Sequence, residues 1–371
     1  MPTPLLFDLL PALRSHIGWL PLASLPTPVE EHRIAGRSVL VKRDDRTARP
    51  YGGNKVRKLE FLLAEARAAG AGRVITAGAF GSHHALATTI YGRQAGFGVT
   101  CVLFPQPVTA HVREVLRLIA AHGAELRFTR RLHGVPFALR RARWRSRAEQ
   151  ARIIPPGGSC PVGALGYVEA GLELAAQIRA GECPEPGSIF VAAGTLGTAA
   201  GLAIGLTMAG CRIPVRAVRI TSPLVTNRRA LRRLVQGTLE LLEPGGEKLP
   251  SWEQVMAGLT LRHDQVGQGY GRDTAAGFAA AVLFDVVGLD LDGTYTAKAA
   301  AALLADPPGG KLPLFWHTLS AWHPEAPALD LRRVPEPFGR ILRDPVPVRR
   351  TPREPPPSLL GPIRSVLRDR G

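Results

Sequence analysis

A lysine beside flexible backbone is the first candidate for chemistry in this chain. The segment Gly52-Gly53-Asn54-Lys55 stands immediately before a predicted helix over residues 56–69. Glycines let the backbone approach a flat ligand closely, and the amide of Asn54 can hydrogen-bond whatever the lysine holds. A lysine in such a position can form a Schiff base with an aldehyde cofactor. A plain turn before a solvated basic helix has the same composition, so the segment alone does not distinguish a Schiff-base lysine from a solvated one.

The loop over residues 193–201 is a candidate phosphate site. It follows a predicted strand and opens a helix rich in alanine and glycine. Backbone N–H groups and the dipole at a helix N-terminus favour an anion, and Thr195 and Thr198 add hydroxyl donors. The loop has neither the lysine of a P-loop nor GxGxxG spacing, which argues against nucleoside triphosphates and dinucleotides. Simple packing of small residues is the alternative.

A second junction of this kind carries Ser82-His83-His84. Ser82 is a good helix N-cap, and the amides beside it could hold a substrate carboxylate. The two histidines suggest metal ligands, but adjacent helical residues point about 100° apart and no third ligand is close in sequence. No metal site is therefore predicted. Two tyrosines also lie in loops, Tyr270 between glycines and Tyr295 at a predicted helix start.

Strands alternate with helices along most of the chain. The predicted strands are residues 73–77, 99–104, 125–129, 153–154, 188–192, 215–220 and 314–318. Continuous apolar strands between helices indicate parallel sheets covered on both faces, and such sheets bind ligands at the carboxyl ends of their strands. One helix is predicted over residues 136–150. Beyond Leu331 repeated prolines predict an extended tail, with at most a short helix over residues 358–368.

Length and composition indicate a cytoplasmic globular protein. With 371 residues and 45% hydrophobic content, the chain can form one large or two ordinary α/β domains with a substantial core. No apolar run approaches the roughly 18 residues of a membrane helix, and polar residues interrupt the first 20 positions, so no signal peptide is expected there. The four cysteines are scattered without CxxC pairs, as expected for reduced thiols.

The net charge of +17 does not by itself indicate nucleic acid. Seven arginines and no acid occupy residues 130–147, and ten arginines against four acids follow Leu331. Neither segment has interleaved aromatic residues for base stacking, and neither matches a nucleic-acid module. A solvated helix face and a basic tail are expected, with no nucleic-acid or membrane partner.

The candidate loops together resemble one family. In chain order they are Gly53-Asn54-Lys55 with 57–60, residues 76–79 with Ser82, Pro156-Gly157-Gly158-Ser159 with 163–167, Gly269-Tyr270-Gly271, Tyr295-Thr296-Ala297-Lys298 and Phe315-Trp316-His317-Thr318. They are similar to the pyridoxal-phosphate enzymes of the 1-aminocyclopropane-1-carboxylate deaminase and D-cysteine desulfhydrase group, which share a tryptophan-synthase-β-like fold. The resemblance spans about residues 20–325.

This resemblance implies two three-layer α/β/α domains with mostly parallel sheets, followed by an extended C-terminal tail. The large cofactor domain would comprise residues 1–57 and 168–330, the small substrate-side domain residues 58–167, and the tail residues 331–371. A homodimer that acts on a small amino acid is expected.

The resemblance also implies residue roles. Lys55 would hold pyridoxal phosphate, and Asn54 would contact its 3-hydroxyl. The remaining cofactor contacts would be Gly194, Thr195, Leu196, Gly197 and Thr198 at the phosphate, and Thr318, or alternatively Thr296, at the pyridine nitrogen. The catalytic set would be Lys55, Ser82, Tyr270 and Tyr295, and the substrate contacts Ser82, His83 and His84.

The implied reaction is α,β-elimination from D-cysteine or a related D-amino acid, which yields a 2-oxo acid and ammonia. The family's deaminases carry glutamate at the position of Thr296 and its desulfhydrases threonine, which favours elimination over ring opening to 2-oxobutyrate. Two departures from the family pattern bear on this. His83 stands where asparagine is usual and Gly81 where glutamine is usual, and residues 319–320 replace two glycines. Ring-opening deamination and a cofactor-binding homologue with altered or lost catalysis are the alternatives.

Overall fold

A computed structural model describes residues 3–246 and 249–344. Its strands are β1 Val29–Ile34, β2 Arg37–Lys42, β3 Arg73–Ala79, β4 Gly98–Phe104, β5 Glu125–Phe128, β6 Arg152–Ile153, β7 Ser188–Ala193, β8 Val215–Arg219, β9 Leu259–Arg262 and β10 Pro313–Trp316. Its helices are α1 Leu5–Leu9, α2 Asn54–Ala68, α3 His83–Gln94, α4 Ala110–Ala121, α5 Val135–Arg145, α6 Pro161–Arg179, α7 Gly197–Met208, α8 Arg228–Leu242, α9 Trp252–Ala257, α10 Ala275–Asp285, α11 Thr296–Ala305 and α12 Phe338–Arg343.

The larger sheet has six strands in the order β1-β2-β10-β7-β8-β9. All its pairs are parallel except β1–β2, a hairpin whose turn residues Ala35 and Gly36 both have positive φ, the geometry that matches the twist of its strands. Strand β7 is apolar throughout because both of its faces are buried. Ile189 packs toward α6 and α7, and Phe190 packs toward α10 and α11 on the opposite face. Both faces are therefore covered by helices.

The smaller sheet has four parallel strands in the order β5-β4-β3-β6. On β3, Val74 joins a core with α2, α3 and α4, while Ile75 faces α5 with Val135 and Leu139. The predicted architecture of helix-covered parallel sheets is thus confirmed. The division of the chain into domains at residues 57/58 and 167/168 stays a prediction, and both bounds fall inside continuous helices, α2 and α6.

A buried ionic network ties α2 to α6 and to the end of β2. The Arg57 guanidinium lies 2.8 Å from Asp44 and 2.9 Å from Glu173, and the Lys42 ammonium lies 2.5 Å from Glu173. The indole of Trp316 donates to Asp44 at 2.7 Å, which adds β10 to the network. The network therefore fixes the start of α2, the helix that carries Lys55, against α6, the end of β2 and β10.

Two predictions about elements are wrong. The helix expected over residues 136–150 ends at Arg145, and a 3-10 turn follows before Gln150 takes a left-handed conformation with φ 49° that redirects the chain into β6. Regular structure also continues beyond Leu331, where a 3-10 turn precedes α12. Phe338 of α12 is fully buried against Phe80 and Phe128 at ring-centroid distances of 5.8 and 6.1 Å, so apolar burial outweighs the proline content there. The short helix predicted over residues 358–368 lies outside the described residues.

In the described part of the chain, no helix is both long and apolar enough to cross a membrane.

Candidate active site

A cavity of about 590 Å³ opens at the carboxyl ends of strands from both sheets. It lies beyond the ends of β3, β7 and β10, where parallel α/β sheets place their ligand sites. The predicted site residues that line it are Asn54, Lys55, Ser82, His83, His84, Gly194, Thr195, Leu196, Gly197, Thr198, Tyr270, Tyr295 and Thr318. Loops distant in sequence therefore converge on one space.

Lys55 is the second residue of α2, and its amine projects into the cavity lining. The preceding Gly53 has φ +87°, and a Cβ there would lie 2.6 Å from the carbonyl oxygen of Thr318, so only glycine fits this turn. The Lys55 ammonium donates to Asn54 Oδ1 at 2.9 Å, and Asn54 Nδ2 donates to the hydroxyl of Thr198 at 3.0 Å. Burial lowers the pKa of Lys55 to about 8, although Asp292 opposes the shift. A substantial fraction of this amine is neutral near physiological pH.

The N-terminus of α7 forms a set of donors suited to a phosphate. Ser159 Oγ accepts from the amide of Gly197 at 3.2 Å and lies 2.7 Å from the hydroxyl of Thr195. The ammonium of Lys58 donates to the carbonyl of Gly157 at 3.1 Å. The same ammonium lies close to Gly197, where an added Cβ would be 2.9 Å from the Lys58 nitrogen. Hydroxyls, a helix N-terminus and an ammonium thus surround one space, and a phosphate group fits this donor set.

Lys58 belongs to a motif in residues 57–60, but its role is not evident from the sequence alone. Its side chain is almost completely buried, and burial, with a further effect of Lys55, holds its pKa well below the usual lysine value. A bound anion would stabilise the charged form of the Lys58 amine against the effect of burial. The spacing could have indicated that Lys58 lies near the site, because a residue three positions after Lys55 lies on the same face of α2.

The start of α3 forms another wall of the cavity. Ser82 is its N-cap, as predicted, and Ser82 Oγ accepts from the amide of Ala85 at 3.2 Å. The two histidines that follow make different contacts: His83 Nδ1 lies 2.5 Å from the Tyr51 hydroxyl, while His84 Nε2 lies 2.9 Å from the hydroxyl of Thr76. Among the residues described, no group of three or more potential metal ligands occurs.

Tyr270 and Tyr295 are neighbours in the cavity lining, and their hydroxyl oxygens lie 2.9 Å apart. Burial raises the pKa of both phenols, and most strongly that of Tyr295, so both stay protonated near neutral pH. They can therefore act as proton donors, and can accept a proton only while passing their own to a partner.

Thr296 is the one predicted site residue that lies outside the cavity lining. Its hydroxyl donates to Asp292 Oδ1 at 2.7 Å, and Asp292 Oδ2 accepts from the amide of Tyr295 at 2.8 Å, so Thr296 belongs to the cap of α11. The assignment of Thr318, or alternatively Thr296, to the pyridine nitrogen stays a prediction. Of the two, Thr318 lines the cavity.

Asp292 is an acidic member of the lining that sequence reasoning missed. It raises the pKa values of Lys55 and His83 against the effect of burial, so it opposes the loss of positive charge in the cavity. An Asp-Gly turn just before a predicted helix was the available signal, since aspartate in that position accepts from the first helical amides.

The departure at residues 319–320 has a structural role. Ser320 Oγ accepts from the amide of Gly52 at 2.8 Å and from the amide of Trp322 at 3.1 Å. This serine therefore braces the turn that precedes Lys55, where the family pattern has glycine.

A cavity with a buried lysine, donors suited to a phosphate at a helix N-terminus and polar walls at parallel strand ends fits one class of protein, the enzymes that hold a phosphorylated aldehyde on a lysine. Comparison with known proteins agrees. The profile of the family described as pyridoxal-phosphate dependent enzyme matches residues 13–312. The chain belongs to this family, and pyridoxal phosphate is its cofactor.

Individual relatives carry different activities. The chain is 36% identical over 325 residues to nocardicin C-9' epimerase of Nocardia uniformis subsp. tsuyamanensis, a match over 81% of this chain and 91% of the relative. It is also 36% identical over 301 residues to D-cysteine desulfhydrase of Klebsiella pneumoniae strain 342, which covers 77% and 87%. Among solved structures, an ACC deaminase homologue superposes with a TM-score of 0.71 at 29% identity, covering 86% of this chain and 95% of the other.

Proposed function

We propose that this enzyme removes the Cα proton of a D-amino acid and eliminates a leaving group from Cβ, with D-cysteine or a relative as substrate. The products would be a 2-oxo acid, ammonia and, from cysteine, sulfide. The observation that carries the proposal is the presence of the Lys55 amine, whose pKa of about 8 suits a general base, in the cavity lining. The identity to a D-cysteine desulfhydrase supports the substrate class.

The cofactor would be held by residues of α2, of the start of α7 and of the segment that follows β10. Lys55 would bind it covalently, and Asn54 would contact its 3-hydroxyl. Residues 194–198 would bind its phosphate together with Lys58, which the geometry adds to the set, and Thr318 would face its pyridine nitrogen. When bound, pyridoxal phosphate withdraws electrons from Cα of the amino acid and so makes the Cα proton acidic.

The remaining walls would position the amino acid. The α3 N-terminus at Ser82 offers backbone donors for its carboxylate, and the dipole of that helix favours the negative charge. The free amine of Lys55 would accept the Cα proton. Tyr270 and Tyr295, both protonated near neutral pH, would donate to the leaving group at Cβ.

Product analysis tests the proposal directly. The holoenzyme should release pyruvate, sulfide and ammonia from D-cysteine, and Lys55→Ala should lose this activity. Release of 2-oxobutyrate from 1-aminocyclopropane-1-carboxylate instead would favour ring-opening deamination. A protein that binds the cofactor and turns over neither compound would favour a homologue with altered or lost catalysis.

A second candidate function is epimerisation at Cα. It needs a proton donor besides Lys55, and the Tyr51–His83 pair in the cavity wall is a second proton-transfer pair beside that lysine. The identity to nocardicin C-9' epimerase supports it. Conversion of one enantiomer of an amino acid into the other without ammonia release would identify this activity.

The expected homodimer is a further proposal, drawn from the family resemblance. Light scattering coupled to size-exclusion chromatography should give twice the mass of the 371-residue chain. A monomeric mass would contradict it.

A further inference from the structure

Three side chains connect the cavity wall to the protein surface. The hydroxyl of Tyr51, which lines the cavity, lies 2.5 Å from His83 Nδ1. On the other side of the same ring, His83 Nε2 lies 3.1 Å from His111 Nε2. His111 is exposed near the start of α4, so a continuous chain of hydrogen bonds leads from the cavity to solvent.

Each group in this chain can both give and receive a proton. Burial, with a further effect of His111, lowers the pKa of His83 to about 4, although Asp292 opposes the shift and Lys55 adds to it. His83 is therefore neutral near pH 7 and carries one ring N–H and one lone pair. Burial also raises the pKa of Tyr51, which keeps its hydroxyl protonated. A neutral imidazole between a phenol and an exposed imidazole is a suitable relay for protons.

We propose that Tyr51, His83 and His111 form a proton relay through which the enzyme exchanges a proton between solvent and Cα of its substrate, separately from Lys55. Tyr51 is the catalytic residue of the relay, and His83 and His111 are positioning residues that act through it. The inference rests on the proposed Cα chemistry and deepens it, because it supplies the second proton route that epimerisation requires.

The step balances without any oxidant or reductant. A proton from solvent enters the exposed ring of His111, and the Nε2 proton of His111 passes to His83 Nε2. The Nδ1 proton of His83 passes to the oxygen of Tyr51 as the phenol O–H breaks. That proton forms the new Cα–H bond with the electron pair left at Cα by the earlier deprotonation. In reverse, the relay removes the Cα proton and returns it to water.

Deuterium incorporation into D- and L-alanine tests the relay in the holoenzyme, because alanine has no leaving group on Cβ. In D2O the wild type should incorporate deuterium at Cα and interconvert the enantiomers. Tyr51→Phe and His83→Asn should slow inversion by about 10²–10⁴-fold, while exchange with retained configuration through Lys55 persists. His111→Ala should slow inversion, and added imidazole should restore it. His16→Asn, at an exposed histidine outside the cavity lining, is the matched control and should match the wild type.

A measurement on the cofactor-free protein gives an independent readout. In 15N-histidine NMR, Tyr51→Phe should shift the Nδ1 resonance of His83, and His111→Ala should shift its Nε2 resonance. Unchanged resonances in both variants, or inversion unaffected by Tyr51→Phe and His83→Asn, would overturn the relay alone. Exchange of D-alanine with retained configuration that survives Lys55→Ala would instead overturn the role of Lys55 in the proposed function, because the relay serves the opposite face of Cα. A wild type that exchanges neither enantiomer would overturn both.

Discussion

Lys55 and Lys58 lie three residues apart on α2 and project toward the same cavity. Burial lowers the pKa of both amines, and Lys55 further lowers the pKa of Lys58. The two amines have different hydrogen-bond partners, which indicates different roles. Lys55 contacts an amide oxygen, whereas Lys58 contacts the loop that approaches the N-terminus of α7.

The pKa of Lys55 predicts how the cofactor-free protein reacts with pyridoxal phosphate. Only the neutral amine attacks an aldehyde, and the neutral fraction rises with pH until it saturates above the pKa of about 8. The rate of covalent adduct formation, followed by absorbance, should therefore rise about tenfold per pH unit well below pH 8 and level off above it. A rate that still climbs between pH 9 and the ordinary lysine pKa of 10.5 would contradict the shift.

Lys58→Ala should weaken binding of pyridoxal phosphate much more than binding of pyridoxal, which lacks the phosphate. A hydrogen bond to a charged group contributes about 1.5–3 kcal/mol, so the expected loss is roughly 10- to 100-fold in Kd, measured by fluorescence titration. Lys311→Ala is the control, because Lys311 is exposed and pairs with Glu185 at the surface. Equal losses for both ligands would argue against a phosphate contact.

Sequence alone could identify the residues whose type and local context carry information. The glycine turn before Lys55, the Ser82 cap and the small-residue loop before α7 are short-range patterns, and residues of each, such as Gly52 in the turn, line the cavity. Tyr51 and His111 could not be found in this way. His111 is 28 residues from His83, and its contact exists only because α3 and α4 pack side by side.

Helix α2 is anchored by charge as well as by apolar packing. Arg57 and Lys42 surround Glu173, and although burial alone would raise the pKa of that carboxyl, the two cations lower it to about 2. Removing one partner of a buried pair leaves an uncompensated charge and typically costs several kcal/mol. The position of Lys55 therefore depends on elements far from the cavity.

Glu173→Gln should lower the free energy of unfolding by about 3–5 kcal/mol at pH 7, as measured by urea denaturation. Glu185→Gln provides the matched control. Glu185 is an exposed glutamate paired with a lysine, and its substitution should cost less than about 1 kcal/mol. Equal effects of the two substitutions would show that the buried network does not hold α2.

The same carboxyl predicts an acid limit to stability. Because its pKa falls from the ordinary 4.5 to about 2 on folding, its contribution is fully present above pH 4.5 and is lost as the pH falls toward 2. The difference in unfolding free energy between wild type and Glu173→Gln should therefore shrink as the pH is lowered through this window. A difference that stays constant from pH 5 to pH 2.5 would contradict the assigned shift.

Elements differed in how well their sequences predicted them. Strands buried on both faces, such as β4 and β7, are continuous apolar runs between helices and were predicted close to their bounds. The β1–β2 hairpin was missed because β1 is polar and half-exposed. It lies at the edge of the sheet and joins the sheet through its pairing with β2. The end of α5 was placed too late, since the left-handed turn at Gln150 has no glycine to mark it.

At the scale of the whole molecule, the segment after Leu331 closes the core around the smaller sheet. Val334 and Phe338 are buried in the same cluster as residues of α3 and α4, although prolines predicted an extended chain. The burial of one aromatic ring was not visible in local sequence, because it depends on a surface formed by residues more than 200 positions away, Phe80 and Phe128. Residues 331–344 thus belong structurally to the folded body.

Phe338→Ala should lower the free energy of unfolding by about 3–5 kcal/mol, the usual cost of deleting a buried aromatic ring. Phe137→Ala is the matched control, because the Phe137 side chain on α5 is 71% exposed and its loss should change stability by no more than about 0.5 kcal/mol. Thermal and urea denaturation of the three proteins check this. A negligible effect of Phe338→Ala would show that the segment is not part of the core.

Both sheets border one cavity, and the proposed chemistry in that cavity depends on Lys55. The direct test is borohydride reduction of the protein loaded with pyridoxal phosphate, followed by peptide mass spectrometry of wild type, Lys55→Ala and Lys58→Ala. We expect a phosphopyridoxyl label on Lys55 in the wild type, no label in Lys55→Ala, and a label still on Lys55 in Lys58→Ala. A label on any other lysine in the wild type, or equal labelling of Lys55→Ala, would contradict the assignment.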